Sequence, residues 1–207
     1  HNRCRRQRQM CIRDRRTSAA DLAQLGVGYV DAPVSGGTKG AEEASLAIMA
    51  GGSPQDFATV KVVLNALGRP VHVGPLGAGQ LAKLANQAIV AVTIAAVAEA
   101  MLMLQNGGAD PAAVRAALKG GFADSTILQQ HGARMTTGDF TPGGLSELQL
   151  KDLNNALAEA ESFGLSLPTL INTRDRFQRL VSDLGGAKLD HSALYLELRD
   201  LNGLVEV

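Results

Sequence analysis

The chain has 207 residues, which is enough to bury a core as one large domain or two small ones. Its hydrophobic fraction is 45% but its aromatic fraction only 3%, so the core must rest on aliphatic side chains, as in packed helices. The formal net charge is zero, but residues 1–16 hold seven Arg and one Asp, and the remainder is net negative. The body of the chain therefore lacks the basic surplus that a nucleic-acid binder needs.

Residues 1–18 form an Arg-rich segment without apolar periodicity, which we interpret as a non-native or disordered tail. A basic arm for targeting or for nucleic-acid binding is the alternative. Both cysteines, Cys4 and Cys11, lie in this segment. Two thiols without a cluster of His or Cys partners predict neither a metal site nor a disulfide framework.

Residues 19–74 are predicted to alternate between helices and strands. Ser18 is expected to cap a short helix that ends at Gly26, and Ser53-Pro54 is expected to open a second helix. The second helix carries an apolar face of Phe57, Val60, Val63, Leu64 and Leu67. Strands are predicted at 28–34, 46–50 and 71–73.

From residue 75 onward the pattern predicts helices alone, over 80–106, 111–118, 124–135, 145–163, 168–184 and 192–201. A β/α segment followed by an all-helical one implies two domains, 19–74 and 75–207. In the first of these helices, the uncharged run between Lys83 and Glu99 has 15 residues. A membrane span needs about 18–20, so we expect a buried central helix and no membrane.

The string GAGQLA, residues 77–82, fits the relaxed dinucleotide fingerprint G-x-G-x-x-G/A. The fingerprint also requires a following strand that ends in a ribose-binding acid, and here Glu99 lies inside the same predicted helix. The alternative is a glycine turn that lets a helix N-terminus approach another group closely.

The segment DAPVSGG ends in Ser35, Gly36 and Gly37. Two glycines after a serine allow adjacent main-chain N–H groups to converge beside a hydroxyl, an arrangement that suits a carboxylate. A turn at a strand end that binds nothing is the alternative.

Lys83, Asn86 and Gln87 share one helical face because they stand at positions i, i+3 and i+4. A lysine followed by a long uncharged run is expected to point into a cleft. Partial burial there would lower its pKa and make it a usable proton donor. The alternative is a snorkelling lysine, which the helix dipole disfavours near an N-terminus.

Two other features are weaker when taken alone. A pair such as Lys151-Asp152 on a helix is typical of a solvated surface. His72, His131 and His191 occur singly without ligand spacing, and we interpret each as structural.

Four strings in order resemble the β-hydroxyacid dehydrogenase family: DAPVSGGTKGA (31–41), GPLGAGQLAKLANQ (74–87), LQLKDLNNAL (148–157) and DHSAL (190–194). The resemblance covers residue 19 to the end. It implies an α/β remnant of a Rossmann domain with its C-terminal strands, joined by a long central helix to an all-α domain. NAD or NADP is the implied cofactor, and its main binding loop would precede the part of the family that this chain matches.

The same resemblance implies roles for particular residues. Lys83 would be the catalytic acid or base, and Ser35, Gly36 and Gly37 would bind the substrate carboxylate. The family often has Asn four residues after the lysine, so Asn86 or Gln87 would bind the substrate. Lys151, supported by Asp152, would reach toward the nicotinamide. Gly144 is a departure, because relatives often carry Phe there.

The implied activity is reversible hydride transfer between NAD(P)H and a short β-oxo or β-hydroxy acid, in a cytoplasmic homodimer or homotetramer. KLANQAIVAVTIAAVAEA and GGFADST are most similar to the branch that reduces tartronate semialdehyde to glycerate. A 3-hydroxyisobutyrate substrate and a non-catalytic oligomerisation or reader module are the alternatives. Without the cofactor loop, the chain alone is expected to be nearly inactive.

Overall fold

The computed structural model describes residues 12–204, with side chains from residue 17 onward. Cys4, Cys11 and most of the predicted Arg-rich tail lie outside the described residues. The chain divides into two compact units, His1–Asn86 and Gln87–Val207.

The first unit contains a small mixed sheet. Its elements are α1 (Ile12–Ala23), β1 (Val34–Ser35), α2 (Gly37–Glu42), β2 (Leu46–Gly51), α3 (Pro54–Asn65) and β3 (Gly68–Gly74), followed by the start of α4 (Ala78–Asn106). The strand order is β1-β2-β3, with β1 antiparallel to β2 and β2 parallel to β3. The parallel pair follows from the intervening helix, since a crossover connection brings the chain back in the same direction.

Two predicted elements of this unit differ from the structure. The first helix begins at Ile12, so Ser18 lies inside it and does not cap it; the preceding arginines are good helix formers and extend it toward the N-terminus. The predicted strand 28–34 is reduced to Val34–Ser35 and an isolated bridge between Asp31 and Gly51. Pro33 interrupts the ladder because it has no N–H to donate.

Helix α3 begins as predicted but does not bury the expected face. Ser53 is its N-cap and accepts a hydrogen bond from the main-chain N–H of Asp56 at 3.0 Å. Val63 and Leu67 are 68% and 50% exposed, and no residue of the helix is buried. The core of this unit lies instead on β2, where Ile48 and Ala50 are buried.

The second unit is helical. It contains the rest of α4, then α5 (Pro111–Leu118), α6 (Thr126–Thr137), α7 (Ser146–Ser162), α8 (Pro168–Ser182), two 3₁₀ turns (Gly186–Lys188 and His191–Ala193) and α9 (Leu194–Leu201). Helix α7 packs on α8, and α8 packs on α9. The predicted fold class, strands first and helices afterwards, is confirmed.

Helix α4 is long and apolar enough to cross a membrane, judged by length and composition alone, and is the one such helix among residues 12–204. That evidence is weak, because the core helix of a soluble protein passes the same test. Ala91, Ile94, Ala98 and Met101 are fully buried and recur at helical spacing, so they form the stripe of a core helix. The expectation of burial all round is wrong, since Ile89 is 68% exposed.

Candidate active site

The Ser35-Gly36-Gly37 turn lies where β1 passes into α2. Ser35 pairs with Ala47 of β2, which fixes the end of the strand. Gly36 and Gly37 have φ angles of +141° and +62°, which side-chain-bearing residues rarely adopt. A Cβ at Gly36 would lie 3.1 Å from Leu46 Cδ2, whereas at Gly37 the corresponding space is open. The turn is therefore held on one side by the sheet and free on the other.

A buried carboxylate occupies the N-terminus of α4. Asp31 is 2% exposed, and its two oxygens each accept a main-chain hydrogen bond at 2.8 Å, one from Gly77 and one from Gln80. A negative charge at this end of a helix satisfies its free N–H groups and is stabilised by the helix dipole. Sequence reasoning assigned no role to Asp31, although its position in the DAPVSGG string was the available signal.

This contact explains the glycines of GAGQLA. A Cβ at Gly79 would lie 2.5 Å from the main-chain oxygens of both Asp31 and Met49. Glycine is required there because the helix approaches the sheet too closely for any side chain. The close-approach alternative is thus confirmed: the start of the helix approaches the main-chain oxygens of Asp31 and Met49 and the Asp31 carboxylate.

We expect Asp31→Asn to lower the free energy of unfolding of the first unit by about 2–3 kcal/mol, because an amide cannot accept from both N–H groups and loses the charge. Hydrogen exchange of the β2 amides measures this. Asp110→Asn is the matched control: Asp110 caps α5 on the surface, accepting from Ala112 N at 2.8 Å, and Asn caps equally well. Equal effects of the two substitutions would contradict the assigned role.

Lys83, Asn86 and Gln87 lie on α4 at the predicted helical spacing, and all three side chains are partly buried. Partial burial is the environment that the sequence predicted for Lys83. The snorkelling alternative also has a partly buried lysine, so the role of Lys83 as a proton donor stays a prediction.

Gln87, Lys151 and Asp152 come together in the second unit. The Gln87 side-chain amide donates to Asp152 Oδ2 at 2.9 Å, and Lys151 Nζ lies 3.2 Å from Asp152 Oδ1. Asp152 is buried, whereas the Lys151 side chain is 38% exposed. The buried carboxylate therefore holds the ammonium group of a partly exposed lysine. The solvated-surface interpretation of this pair does not hold for Asp152.

Two histidines that the sequence treated as isolated meet in the second unit. His131 Nε2 lies 3.2 Å from His191 Nε2, with the rings edge to face and their centroids 4.7 Å apart. His191 Nδ1 lies 3.3 Å from Gln149 Oε1. Gln149 in turn donates from Nε2 to the main-chain oxygen of Gln87 at 3.1 Å. Spacing along the chain gave no sign of this cluster, because its members come from three separate elements.

Asp190 lies next to this cluster, with its Oδ1 3.6 Å from His131 Nδ1. One oxygen accepts from Ser192 Oγ at 2.6 Å and from Ser192 N at 3.0 Å; the other accepts from Gly144 N at 2.9 Å and from Gly143 N at 3.2 Å. Arg134 Nη1 lies 3.6 Å away. Burial raises the pKa of Asp190, but the hydrogen bonds from Ser192 and Gly144 outweigh burial, and the net pKa is lowered. The side chain is therefore a buried carboxylate at neutral pH.

Burial lowers the pKa of both histidines. For His191 the pKa falls to about 4, because desolvation of the imidazolium exceeds the attraction of Asp190. The pKa of His131 is lowered for the same leading reason. Both imidazoles are therefore neutral at pH 7.

His131, Asp190 and His191 are the cluster that could hold a metal ion among the described residues, with ligand atoms within 4.8 Å of one another. The oxygens of Asp190 already accept four hydrogen bonds, and the two imidazoles are within hydrogen-bond distance of each other. These bonds account for the cluster as a hydrogen-bonded network, and we assign no metal to it.

Gly144 contacts this network directly. Its main-chain oxygen accepts from His191 N at 2.7 Å, and a Cβ at this position would lie 3.1 Å from His191 Cε1. Even a Cβ here would require the imidazole to shift by a few tenths of an ångström. The departure from the family pattern noted in the sequence is therefore coupled to the position of His191.

Comparison with known proteins agrees with this architecture. Residues 77–198 match the family model described as NAD-binding of NADP-dependent 3-hydroxyisobutyrate dehydrogenase, and residues 9–77 match the NAD binding domain of 6-phosphogluconate dehydrogenase. The chain is 48% identical over 177 residues to 2-hydroxy-3-oxopropionate reductase of Escherichia coli (strain K12), a match that covers 85% of the chain and 60% of that protein. The chain thus spans about three fifths of that relative's length.

Two solved structures are similar to the chain. One is 3-hydroxyisobutyrate dehydrogenase of Mycobacterium tuberculosis with L-serine, at TM-score 0.81 and 30% identity, covering 91% of the chain and 67% of that structure. The other is 3-hydroxyisobutyrate dehydrogenase of Salmonella typhimurium, at TM-score 0.80 and 29% identity, covering 90% and 66%. The chain belongs to the NAD(P)-dependent 3-hydroxyisobutyrate dehydrogenase family, which confirms the resemblance seen in the sequence.

Proposed function

We propose that the chain carries the substrate-binding and proton-transfer residues of an NAD(P)-dependent reductase that converts tartronate semialdehyde to glycerate. The observation that carries this proposal is the 48% identity to the E. coli 2-hydroxy-3-oxopropionate reductase. The L-serine in the M. tuberculosis relative supports the substrate class, because L-serine is a three-carbon β-hydroxy acid like glycerate.

The substrate carboxylate is assigned to Ser35, Gly36 and Gly37. The open side of this turn supports the assignment, because the hydroxyl and the main-chain N–H groups can face a ligand while the sheet holds the other side. Fixing the carboxylate orients the aldehyde carbon for attack, and this positioning lowers the entropic part of the barrier. Asn86 or Gln87 is assigned to the substrate hydroxyl.

Lys83 is assigned as the general acid. When bound, the nicotinamide supplies a hydride to the aldehyde carbon. The carbonyl π electrons move to oxygen, and Lys83 Nζ donates a proton to the resulting alkoxide; in the oxidation direction it takes the proton back. Charge balances because the aldehyde gains one hydride and one proton.

Lys151 and Asp152 are assigned to the nicotinamide end of the cofactor. The buried carboxylate held by Gln87 supports this, since it restrains the ammonium group of Lys151, a side chain that is 38% exposed. The cofactor phosphates are not assigned to GAGQLA, because Asp31 occupies that helix N-terminus. We further propose a cytoplasmic homodimer or homotetramer, with low activity for the 207-residue chain alone.

The test of this function uses a chimera in which the chain replaces the segment that it matches in the E. coli reductase. We expect the chimera to oxidise D-glycerate with kcat/KM at least about tenfold above that for 3-hydroxyisobutyrate, because the two acids carry a hydroxyl and a methyl group, respectively, at C2, and a site that hydrogen-bonds the hydroxyl rejects the analogue without it by at least that factor. The isolated chain is the control, and we expect it to be nearly inactive.

A higher kcat/KM for 3-hydroxyisobutyrate than for D-glycerate would contradict the proposed substrate. It would assign the chain the substrate in the names of the two similar structures. A chimera that folds and binds NADH but oxidises neither acid would contradict the proposed function. Ordinary turnover by the isolated chain would contradict the expectation that it is nearly inactive.

A further inference from the structure

A line of buried and partly buried polar groups in the second unit runs by hydrogen bonds from Gln87 through Gln149 and His191 to His131. It ends beside Asp190, whose Oδ1 lies 3.6 Å from His131 Nδ1. The proposed reaction uses only its first member. The far end lies in the DHSAL string, which the sequence singled out without assigning it a role. Buried polar groups are costly unless each is hydrogen-bonded, so the geometry of every link constrains the next.

The first link fixes the orientation of the Gln149 amide. Gln149 is 2% exposed, and one end of its amide lies 3.1 Å from the main-chain oxygen of Gln87. A carbonyl oxygen only accepts, so the nitrogen of the amide must face it and the oxygen must face His191 Nδ1, 3.3 Å away. His191 Nδ1 must therefore carry the hydrogen.

The second link follows from the first. A neutral His191 with its hydrogen on Nδ1 has a bare Nε2, so the hydrogen in the 3.2 Å contact between the two imidazoles belongs to His131 Nε2. This leaves His131 Nδ1 bare, 3.6 Å from Asp190 Oδ1 and without a hydrogen bond, as observed. One set of hydrogen positions satisfies the line from Gln87 to His131.

The Asp190 end is held by four hydrogen bonds, because its carboxylate accepts from two stretches of the chain, Gly143-Gly144 and Ser192. The opposite end is the main-chain carbonyl of Gln87 on α4. The Gln87 side chain also donates to Asp152, the partner of Lys151. Gln87 is thus held by two residues of α7, one at its main chain and one at its side chain.

We propose that Gln149 is a positioning residue for the reaction: it holds the main-chain carbonyl of Gln87, one helical turn after Lys83, and so sets where the Gln87 amide meets Asp152. This inference rests on the proposed function for its catalytic consequence. A methionine would fill a similar volume, but it could neither donate to the Gln87 carbonyl nor accept from His191 Nδ1.

The test compares Gln149→Met, which loses both contacts, with Gln149→Glu, which keeps an acceptor for His191 but cannot donate to Gln87. Gln129→Met is the control, because Gln129 is a partly buried glutamine that also makes two side-chain hydrogen bonds, donating to the Arg115 carbonyl at 3.2 Å and to Asp124 Oδ1 at 2.7 Å, outside this line. All are studied by NMR in the ¹⁵N-labelled 207-residue chain. In the unsubstituted chain we expect the Nδ1–H tautomer of His191 and the Nε2–H tautomer of His131.

Both Gln149 variants should shift the side-chain amide resonances of Gln87 and raise hydrogen exchange of the main chain around Gln87 about fivefold, as one lost hydrogen bond predicts. Gln129→Met should change neither. In the chimera, both variants should lower kcat about tenfold, Gln149→Glu should not rescue kcat, and Gln129→Met should leave kcat unchanged.

An Nε2–H tautomer at His191, or Gln87 resonances that stay unchanged in Gln149→Glu, would overturn the proposal. Neither readout needs turnover. A chimera that fails to oxidise either acid while the Gln87 resonances shift as expected would overturn the proposed function alone.

Discussion

Replacing Lys83 with Ala in the chimera is expected to lower kcat by about 10²–10⁴-fold, the usual contribution of a positioned acid or base. The physical reason is that hydride transfer leaves an alkoxide, and without the ammonium group its negative charge must be neutralised by water. Binding of NADH should stay the same, because Lys83 is assigned to the substrate oxygen and not to the cofactor. Steady-state kinetics and NADH fluorescence titration measure the two quantities.

Two further variants test whether the loss of kcat is caused by the missing proton donor at Lys83. Lys83→Arg keeps the positive charge but should lose most of kcat, because a guanidinium does not release a proton at neutral pH. Lys119→Ala, an exposed lysine at the end of α5, should leave kcat unchanged. An unchanged kcat in both Lys83 variants would reject the assigned role.

The buried histidines should make the second unit less stable in acid. His191 has a pKa of about 4 in the folded state against 6.5 when unfolded, so between these values the unfolded chain binds the extra proton. Its contribution to stability is therefore complete above pH 6.5 and is lost as the pH falls toward 4, by about 3 kcal/mol in all. The lowered pKa of His131 acts in the same direction.

Hydrogen exchange of the buried α7 amides at pH 7, 5.5 and 4 measures this loss after correction for the intrinsic exchange rate. His191→Gln should remove most of the pH dependence in this range, whereas His72→Gln, in β3 of the other unit, should leave it in place. The same slope in His191→Gln as in the unsubstituted chain would show that His191 titrates normally.

Local patterns were sufficient to predict most of the helices and the two longer strands. Asp110 caps its helix as its residue type suggests, and Gly164 adopts a left-handed conformation just after α7. These features depend on a few neighbouring residues, and the sequence contains all of that information. The predicted helix 124–135 began too early, because Ser125 is its N-cap. The predicted roles of Lys83, Ser35 and Lys151 depended on the family resemblance and stay predictions.

Contacts between distant segments could not be predicted. Asp31 binds N–H groups 46 and 49 residues away, and His131 meets His191 across 60 residues. A spacing rule detects ligands only when they share one element, so histidines on different elements were taken to be single. The exposure of Val63 and Leu67 could not be predicted either. A helical pattern shows that one face of a helix is apolar, but it does not show whether another element packs against that face.

The most direct test of the proposed function follows the hydride itself. The chimera is mixed with tartronate semialdehyde and NADH deuterated at the transferred position, and the product is examined by NMR. We predict glycerate with one deuterium at C3, formed by the chimera and by its Lys119→Ala variant but at least about 100-fold more slowly by Lys83→Ala. Glycerate without deuterium at C3, or equal rates in the Lys83 and Lys119 variants, would contradict it.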